Sequence, residues 1–454
     1  MTVWSAMVFP LSLAPFEEYM LVDDRPTWPM NFFFRLHFDG HFDRSWLEGA
    51  FRQGVARHPL LSAHVRPAAG GHFQWVQNLQ GSPAIRWRTP DAGGERIAAI
   101  DLQREGGVRI WATEGAGRTE LLLQFHHSCC DAVGACRFID DLLLCYSAAQ
   151  KAEEAQAGLQ STDSARLVSR AAHGATGWQL ARIASKQAVG LLRAGKFLMR
   201  KAVSLKPLTA EMLAESLPAD YPSSCEHVFD VRQTAALQAS ARQAGTTVNC
   251  LLVRDLFLAM DAFRSRRQLS RQEDWLRLAV PVDMRLSGDE RLPAANVVSM
   301  VFLDRHPQDC ADAQRLLQSV HEEMQMVKDR RLGLTFLLSL RYNRQLPGGV
   351  GRLRRRTEKG HCQGTGVISN LVRPWAASTL RRDDGRLAVG DVVLRQVDFL
   401  PPLRPYTSVA IGALTYADRL CLALHYDSRV LDRAEAVELL GALEGFLQQS
   451  MAAT

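Results

Sequence analysis

Residues His126-His127-Ser128-Cys129-Cys130-Asp131 place two imidazoles, two thiols and a carboxylate side by side. An imidazole with its ordinary pKa of about 6.5 is largely neutral near pH 7 and suits proton removal. The preceding run Thr119–Phe125 reads as a strand, with Leu121, Leu123, Phe125 and His127 on one face and Leu122, Gln124 and His126 on the other. After Asp131 the spacing turns helical, with Val133, Cys136, Ile139 and Leu143 on one side. The histidines therefore sit where a strand gives way to a helix, held by the scaffold yet able to face a cleft. His127 is the candidate general base; His126, on the opposite face, is expected to hydrogen-bond in the core and shape the turn. Opposite faces also argue against zinc, and no second ligand cluster stands at metal-site spacing, so no metal is expected. Cys129 or Cys130 as nucleophile would need a facing base, which adjacent strand residues do not provide, and there is no GxSxG elbow.

The surrounding elements must fix these groups. Met30–Phe38 alternates Phe32, Phe34, Leu36 and Phe38, a strand with one buried face. Asp43 can cap a helix with Leu47, Ala50, Phe51 and Val55 on its apolar stripe, ending near Arg57-His58-Pro59. Val108–Ala112 and Leu121–His127 read as paired strands joined through Glu114-Gly115-Ala116-Gly117. This N-terminal α/β half spans 1–150 and carries the histidines. Residues 151–225 read as a linker with a basic amphipathic helix over 178–203. Arg182, Lys186, Arg193, Lys196 and Arg200 share one face, with Leu180, Leu191 and Leu198 roughly opposite. That basic face is either packed and solvated or docks to an acidic carrier protein or, weakly, to a membrane surface. The C-terminal half, 226–454, opens with strand-like His227–Val231. Thr246 or Thr247 can cap a helix aligning Val248, Leu252, Leu256, Ala259 and Phe263. Leu276, Leu278 and Val280 alternate, Val297–Leu303 is apolar on both faces like a central strand, and Leu420–Tyr426 is a further strand. Asp432 and Glu435 have capping-box spacing before a last helix with Val437, Leu440, Leu443 and Leu447. The element order predicts an α/β (α+β) fold in which two halves, each a mixed sheet with helices, face each other across a channel.

Composition narrows the function classes. A chain of 454 residues exceeds one ordinary core, and 47% hydrophobic with 22% charged residues is a globular composition. The net charge of +6 permits acidic partners, but no aromatic-interleaved basic motif or zinc-finger spacing points to nucleic acid. Nine cysteines without a CxxC pair suggest reduced thiols and a cytoplasmic setting. Residues 1–16 have no basic n-region and are interrupted by Pro10 and Pro15, so no secretory leader is expected, and no apolar run is long enough to span a bilayer.

His126-His127-x-x-x-Asp131 resembles the HHxxxDG signature of the condensation-domain and CoA-dependent acyltransferase superfamily. That group has a chloramphenicol acetyltransferase-like fold and includes peptide-synthetase condensation domains, polyketide-associated and wax-ester acyltransferases and plant BAHD enzymes. Other passages follow in the family's order: Arg57-His58-Pro59-Leu60-Leu61, Pro281-Val282-Asp283-Met284-Arg285, Asn296-Val297-Val298-Ser299 and Ser369-Asn370. Together they span about residues 9–145 and 245–430. Ala132 replaces the motif glycine, no arginine follows Leu61, and Asp398-Phe399-Leu400-Pro401 shares only the first two letters of the BAHD DFGWG element.

The resemblance implies a stand-alone, monomeric acyltransferase of lipid or secondary-metabolite biosynthesis. It would move an acyl group from acyl-CoA or a carrier-bound phosphopantetheine to a small-molecule hydroxyl or amine. His127 corresponds to the family's second histidine, and Asp131 to a carboxylate that pairs with an arginine of the second half, here Arg285. Ser369 and Asn370, with Asn296 and Ser299 behind them, are candidate oxyanion or substrate-positioning groups. The chemistry needs no tightly bound cofactor, because the thioester is a co-substrate. A basic run at Arg352, Arg354, Arg355, Arg356 and Lys359 is either a solvated loop or a contact for a CoA phosphate or an acidic carrier. The other reading is a catalytically weak condensation-like protein that binds a carrier domain.

Overall fold

Runs of large apolar residues that alternate along the chain close two sheets, one in each half. A computed structural model describes residues 8–78, 84–89, 96–150, 158–173, 177–209, 211–212, 216–349, 351–352, 355 and 362–452, with the backbone alone for 177–186. A short sheet joins β1 (Leu11–Ser12), β3 (His64–Pro67) and β4 (Phe73–Val76) in the order β1-β4-β3. The N-terminal sheet is built on β2 (Asn31–Asp39), β5 (Ile85–Arg88), β6 (Val108–Gly115) and β7 (Arg118–His126). The C-terminal sheet uses β8 (Ser224–Val228), β9 (Leu276–Asp283), β10 (Val298–Arg305) and β11 (Gly366–Asn370). Between them in use are β12 (Ala388–Val389) and β13 (Val392–Leu400), followed by β14 (Val409–Tyr416) and β15 (Arg419–Tyr426). The orders are β12-β13-β2-β7-β6-β5 and β10-β9-β11-β14-β15-β8. Each is mixed: β5 runs parallel to β6, and β11 runs parallel to both β9 and β14. Strand pairing thus crosses the expected boundary at 226, since β12 and β13 lie in the N-terminal sheet, Phe399 opposite Phe34.

Helices cover these sheets where the apolar spacing demands it. α1 (Pro15–Asp23), α2 (Arg44–Arg57), the single-turn α3 (Pro59–Ser62) and α4 (Ala132–Gln150) belong to the N-terminal half, and α5 (Gly177–Met199) follows. Asp43 caps α2 by accepting the Trp46 amide at 2.9 Å. Leu47, Ala50, Phe51 and Val55 are buried, in one core with Phe138, Ile139 and Leu142 of α4. In the second half, Thr247 caps the helix Val248–Arg266, which is buried on nearly every side. Asp432 and Glu435 exchange amide bonds at 2.8 and 3.1 Å ahead of the helix Arg433–Ala452.

Several local readings change in the tertiary structure. Val133 and Val437 are on outer faces, because the helices roll so that Gly134 and Ala436 turn inward. The strand expected over His227–Val231 is shifted to Ser224–Val228, and a capping box at Asp230 and Gln233 starts a helix at Val231. The apolar strand at 298–305 is an edge strand, not a central one. Its open side is sheltered by the helix Gly333–Gln345 and by α5, whose Arg193 donates to the Phe302 carbonyl. Such cover is one way a protein blocks edge pairing. Residues 164–170 of the linker segment are also tied down: Leu167 is fully buried and Arg170 reaches into the N-terminal core.

Candidate active site

The loop that carries the histidines is fixed by backbone pairing on both flanks. β7 ends at His126, opposite Asn31, and the amides of His126 and His127 donate to the carbonyls of Gly107 and Met30 at 2.9 and 2.7 Å. A β-carbon at Gly107 would come within 1.9 Å of Cys129 Sγ, so glycine is required for the loop to pack there. The His126 ring is buried and accepts the Ser128 amide at Nδ1 (3.1 Å), with Nε2 3.6 Å from Asp24. It holds the turn.

His127 is half-buried, and its ring lies between Phe32 (centroids 5.3 Å) and Phe16 (6.3 Å). Burial pushes its pKa down, and a hydrogen bond from the ring to the residue's own backbone opposes this without reversing it; the net shift is downward. Nδ1 faces the side-chain amide that also holds the His127 carbonyl. Asn296 Nδ2 donates to the same carbonyl at 2.5 Å and lies 3.3 Å from Nδ1. The arrangement is a neutral imidazole beside a side-chain amide, and a neutral ring is what a general base requires.

Asp131 and Arg285 form a forked ion pair, with nitrogen–oxygen distances of 2.8 and 2.9 Å. The carboxylate also accepts the amides of Gly134 (2.8 Å) and Val297 (2.7 Å). Burial raises its pKa, but the Arg285 charge and these hydrogen bonds more than offset that, leaving it lowered overall. Arg285 also donates to the Ala295 carbonyl at 3.2 Å. Segment 294–297 is held from its other end by His58, whose Nδ1 accepts the Ala294 amide at 2.8 Å while Nε2 faces Asp141 at 3.1 Å. Arg57 donates to the same Asp141 at 2.6 Å. The Arg57-His58 passage and the Asp131–Arg285 pair thus clamp one strip of chain, and that strip presents Asn296 to His127. Ala132 begins α4 outside the left-handed region. The tight approach falls instead on Gly134, where a β-carbon would lie 3.1 Å from both N and O of Ala295.

The other candidates are dispersed. Ser299 is buried and donates to the Gly333 carbonyl at 2.6 Å, so its proton is committed within the fold. Asn370 closes the turn after β11 by accepting the Val372 amide at 2.9 Å and donating to Asn249 at 3.4 Å. Ser369 makes no side-chain hydrogen bond among the described residues, and nothing ties either residue to His127. Of the basic run, Arg352 and Arg355 are described; Arg354, Arg356 and Lys359 lie outside the described residues. Burial pushes the Cys129 and Cys130 thiols well up, which disfavours a thiolate nucleophile. Among the described residues no group of three or more His, Cys, Asp or Glu could hold a metal ion.

Two buried clusters beside the site have no strong signature in the sequence. Glu17 on α1 is fully buried and pairs with Arg170 at 2.6 Å, accepts Trp75 Nε1 at 2.9 Å, and receives Ser128 Oγ at its carbonyl. Pro15 followed by Glu17 and Glu18 is a helix-start pattern that could have marked α1. Arg404 donates to Tyr19 and, at 2.5 Å, to Asp23, joining the two halves, and its charge adds to the downward push on His127. Nothing local announces Arg404.

Two cavities flank this cluster. One of about 640 Å³ is walled by Tyr19, Phe197, Phe302 and Phe336, and one of about 30 Å³ by Phe16, His173, Asn296 and Leu334. Phe336 touches both Phe16 and Tyr19 edge-on, at 6.1 and 5.7 Å. His127 lines neither of these cavities, so neither forms the expected channel past that ring.

No family model matches the sequence, and no curated protein matches it. Solved structures do. The first condensation domain of the CDA synthetase superposes with a TM-score of 0.70 at 16% identity, covering 98% of this chain and 96% of that one. The starter condensation domain of rhizomide synthetase, solved with C8-CoA and Leu-SNAC, gives 0.64 at 13% identity over 99% and 95%. Polyketide synthase associated protein 5 from Mycobacterium tuberculosis gives 0.59 at 16% identity over 97% of each chain. The chain therefore has the fold of these condensation domains.

Proposed function

We propose that the protein is an acyltransferase that moves an acyl group from a thioester to a hydroxyl or amine, with His127 as general base. The observation that carries this reading is His127 itself: a half-buried residue whose ring burial keeps neutral, set beside Asn296 and between Phe16 and Phe32, with Nε2 without a partner among the described residues. A thioester is already activated, so no covalent enzyme intermediate is needed. The imidazole takes the proton from the incoming hydroxyl or amine as the acceptor's lone pair attacks the carbonyl, and returns it to the departing sulfur, which leaves as the thiol. A positioned base contributes about 10²–10⁴-fold. Alignment of two bound substrates in a ternary complex contributes about 7–11 kcal/mol. Asp131 and Arg285 hold the loop and strip and do not touch the reacting atoms. Of the two β11 candidates, Ser369, whose hydroxyl makes no hydrogen bond among the described residues, is kept as the donor to the oxyanion.

The starter condensation domain bound to C8-CoA and Leu-SNAC supports a CoA or phosphopantetheine thioester as donor and an amine among the acceptors. An acidic acyl-carrier protein fits the net charge of +6 as an alternative donor. The reaction calls on no tightly bound cofactor. A second reading, a carrier-binding protein of low catalytic power, is favoured by the closed aromatic contacts between the two cavities. Thiol release from acyl-CoA or acyl-carrier protein, measured with a broad set of alcohols and amines, separates the two. Loss of at least 10²-fold in His127→Ala is the expected result; equal release from both proteins would refute catalysis.

A further inference from the structure

α5 lies on the protein with the polarity opposite to what its composition suggests. No acidic residue occurs between Gly174 and Ala210, and the lysines and arginines invite an outward basic face. Instead Arg193 pairs with Glu323, and Arg200 stacks on Trp275 (3.9 Å) with Asp304 at 3.5 Å. Gln187 donates to the Arg330 carbonyl at 3.1 Å, and Gly190 lets Thr335 approach so closely that a β-carbon would overlap its hydroxyl at 2.0 Å. Phe197 packs on Phe302 at 4.6 Å. From residue 187 onward the helix therefore turns its aliphatic side chains to the outside, while the side chains of Leu180, Arg182 and Lys186 lie outside the described residues. Leu191 is 68% exposed, Leu192 71%, Leu198 55% and Met199 77%. Their spacing of i, i+1, i+7 and i+8 makes one continuous face, with exposed Lys196 and Lys201 at its edge. Four large apolar side chains in one exposed stripe mark an interaction surface.

We propose that this face seats the protein peripherally on an anionic lipid surface. Leu191, Leu192, Leu198 and Met199 enter the headgroup boundary, and Lys196 and Lys201 meet lipid phosphates. Neither lysine has a partner among the described residues, and no carboxylate on the helix repels an anionic bilayer. The apolar face is continuous with the large cavity, because Leu198 and Lys201 also form its wall beside exposed Arg271. A second copy of the chain would bring lysine-edged faces together, and an acidic protein would set carboxylates against four aliphatic side chains. No described helix is long and apolar enough to cross a membrane, so the contact is a surface one.

The full-length protein is sedimented with sucrose-loaded vesicles of phosphatidylcholine containing 30% phosphatidylglycerol, or of phosphatidylcholine alone, with vesicle-free controls. The wild type is expected to bind the anionic vesicles, more weakly as salt rises. The variant Leu191→Gln/Leu192→Gln/Met199→Gln alters exposed positions only and is expected to bind at least tenfold more weakly, with unchanged circular dichroism. Lys196→Gln and Lys201→Gln are each expected to lower the preference for anionic vesicles about fivefold. The proposal is overturned if the wild type stays in the supernatant at every lipid concentration, or if the triple variant binds as well as wild type. It is equally overturned if that variant instead dissociates a dimer in light scattering, or loses an acyl-carrier protein complex, while vesicles bind neither protein. None of these readouts depends on the activity assigned to His127.

Discussion

Replacing Arg285 with methionine keeps much of the side chain's length and removes its charge. Asp131 would retain the amides of Gly134 and Val297, but its carboxylate, 4% exposed, would lose the only cation paired with it among the described residues. Removing one partner of a buried pair costs about 3–5 kcal/mol. The variant should therefore lose about that much stability in urea unfolding at pH 7.5, followed by far-UV circular dichroism. The pH dependence supplies a sharper test. In the wild type the Asp131 carboxyl is lowered on folding, so its contribution is present above the unfolded carboxyl pKa and is lost as pH falls through the folded value. Without Arg285, burial, the largest influence on this carboxyl, is opposed only by the two amides and should raise it, so folding is penalised above that raised value and relieved as pH falls through it. The deficit between variant and wild type should thus shrink from pH 7.5 toward pH 4.5. Asp131→Leu combined with Arg285→Met removes both charges and should cost less than the two single changes summed. A loss under about 1 kcal/mol at pH 7.5, or a deficit constant with pH, would refute the argument that this pair carries the loop.

Further outcomes follow from the same geometry. Because burial lowers the His127 pKa, the acid limb of the kcat/KM profile should fall below the ordinary histidine value of about 6.5, with activity lost as pH drops through it; a limb above 7 would contradict the assigned environment. Asn296→Ala removes the amide that pins the His127 carbonyl and should lower kcat about tenfold with KM within twofold, a hydrogen bond being worth about 0.5–1.5 kcal/mol. A change confined to KM would place Asn296 in substrate binding instead. Gly134→Val should destabilise by about 1–3 kcal/mol, since its side chain meets the Ala295 backbone. Ala132→Gly, which restores the motif residue, should alter kcat less than twofold and cost about 0.5–1 kcal/mol in thermal unfolding. A large gain in activity from that change would show that the departure at 132 limits catalysis.

The sequence by itself determined the local units. Alternation in β2 and β7, the Asp43, Thr247 and Asp432 caps, and the strand-to-helix switch at His126–Asp131 all arise from neighbours in the chain. Side-chain period and terminal amides decide such features within a few residues. The ion pair of Asp131 with Arg285, 154 positions apart, was legible only through motif order, because no local rule links two such residues. The tertiary structure alone decided which face of α5 meets the body, since Arg193 and Glu323 find each other only after β10 and its covering helices are placed. It also decided that β10 is an edge, that β13 joins the other half's sheet, and that Arg404 and Arg170 lock α1 beside His127. Amphipathic patterning tells which residues differ in polarity but not what will lie opposite them, and for a helix with cations on one side and leucines on the other, the partner surface settles which side is buried.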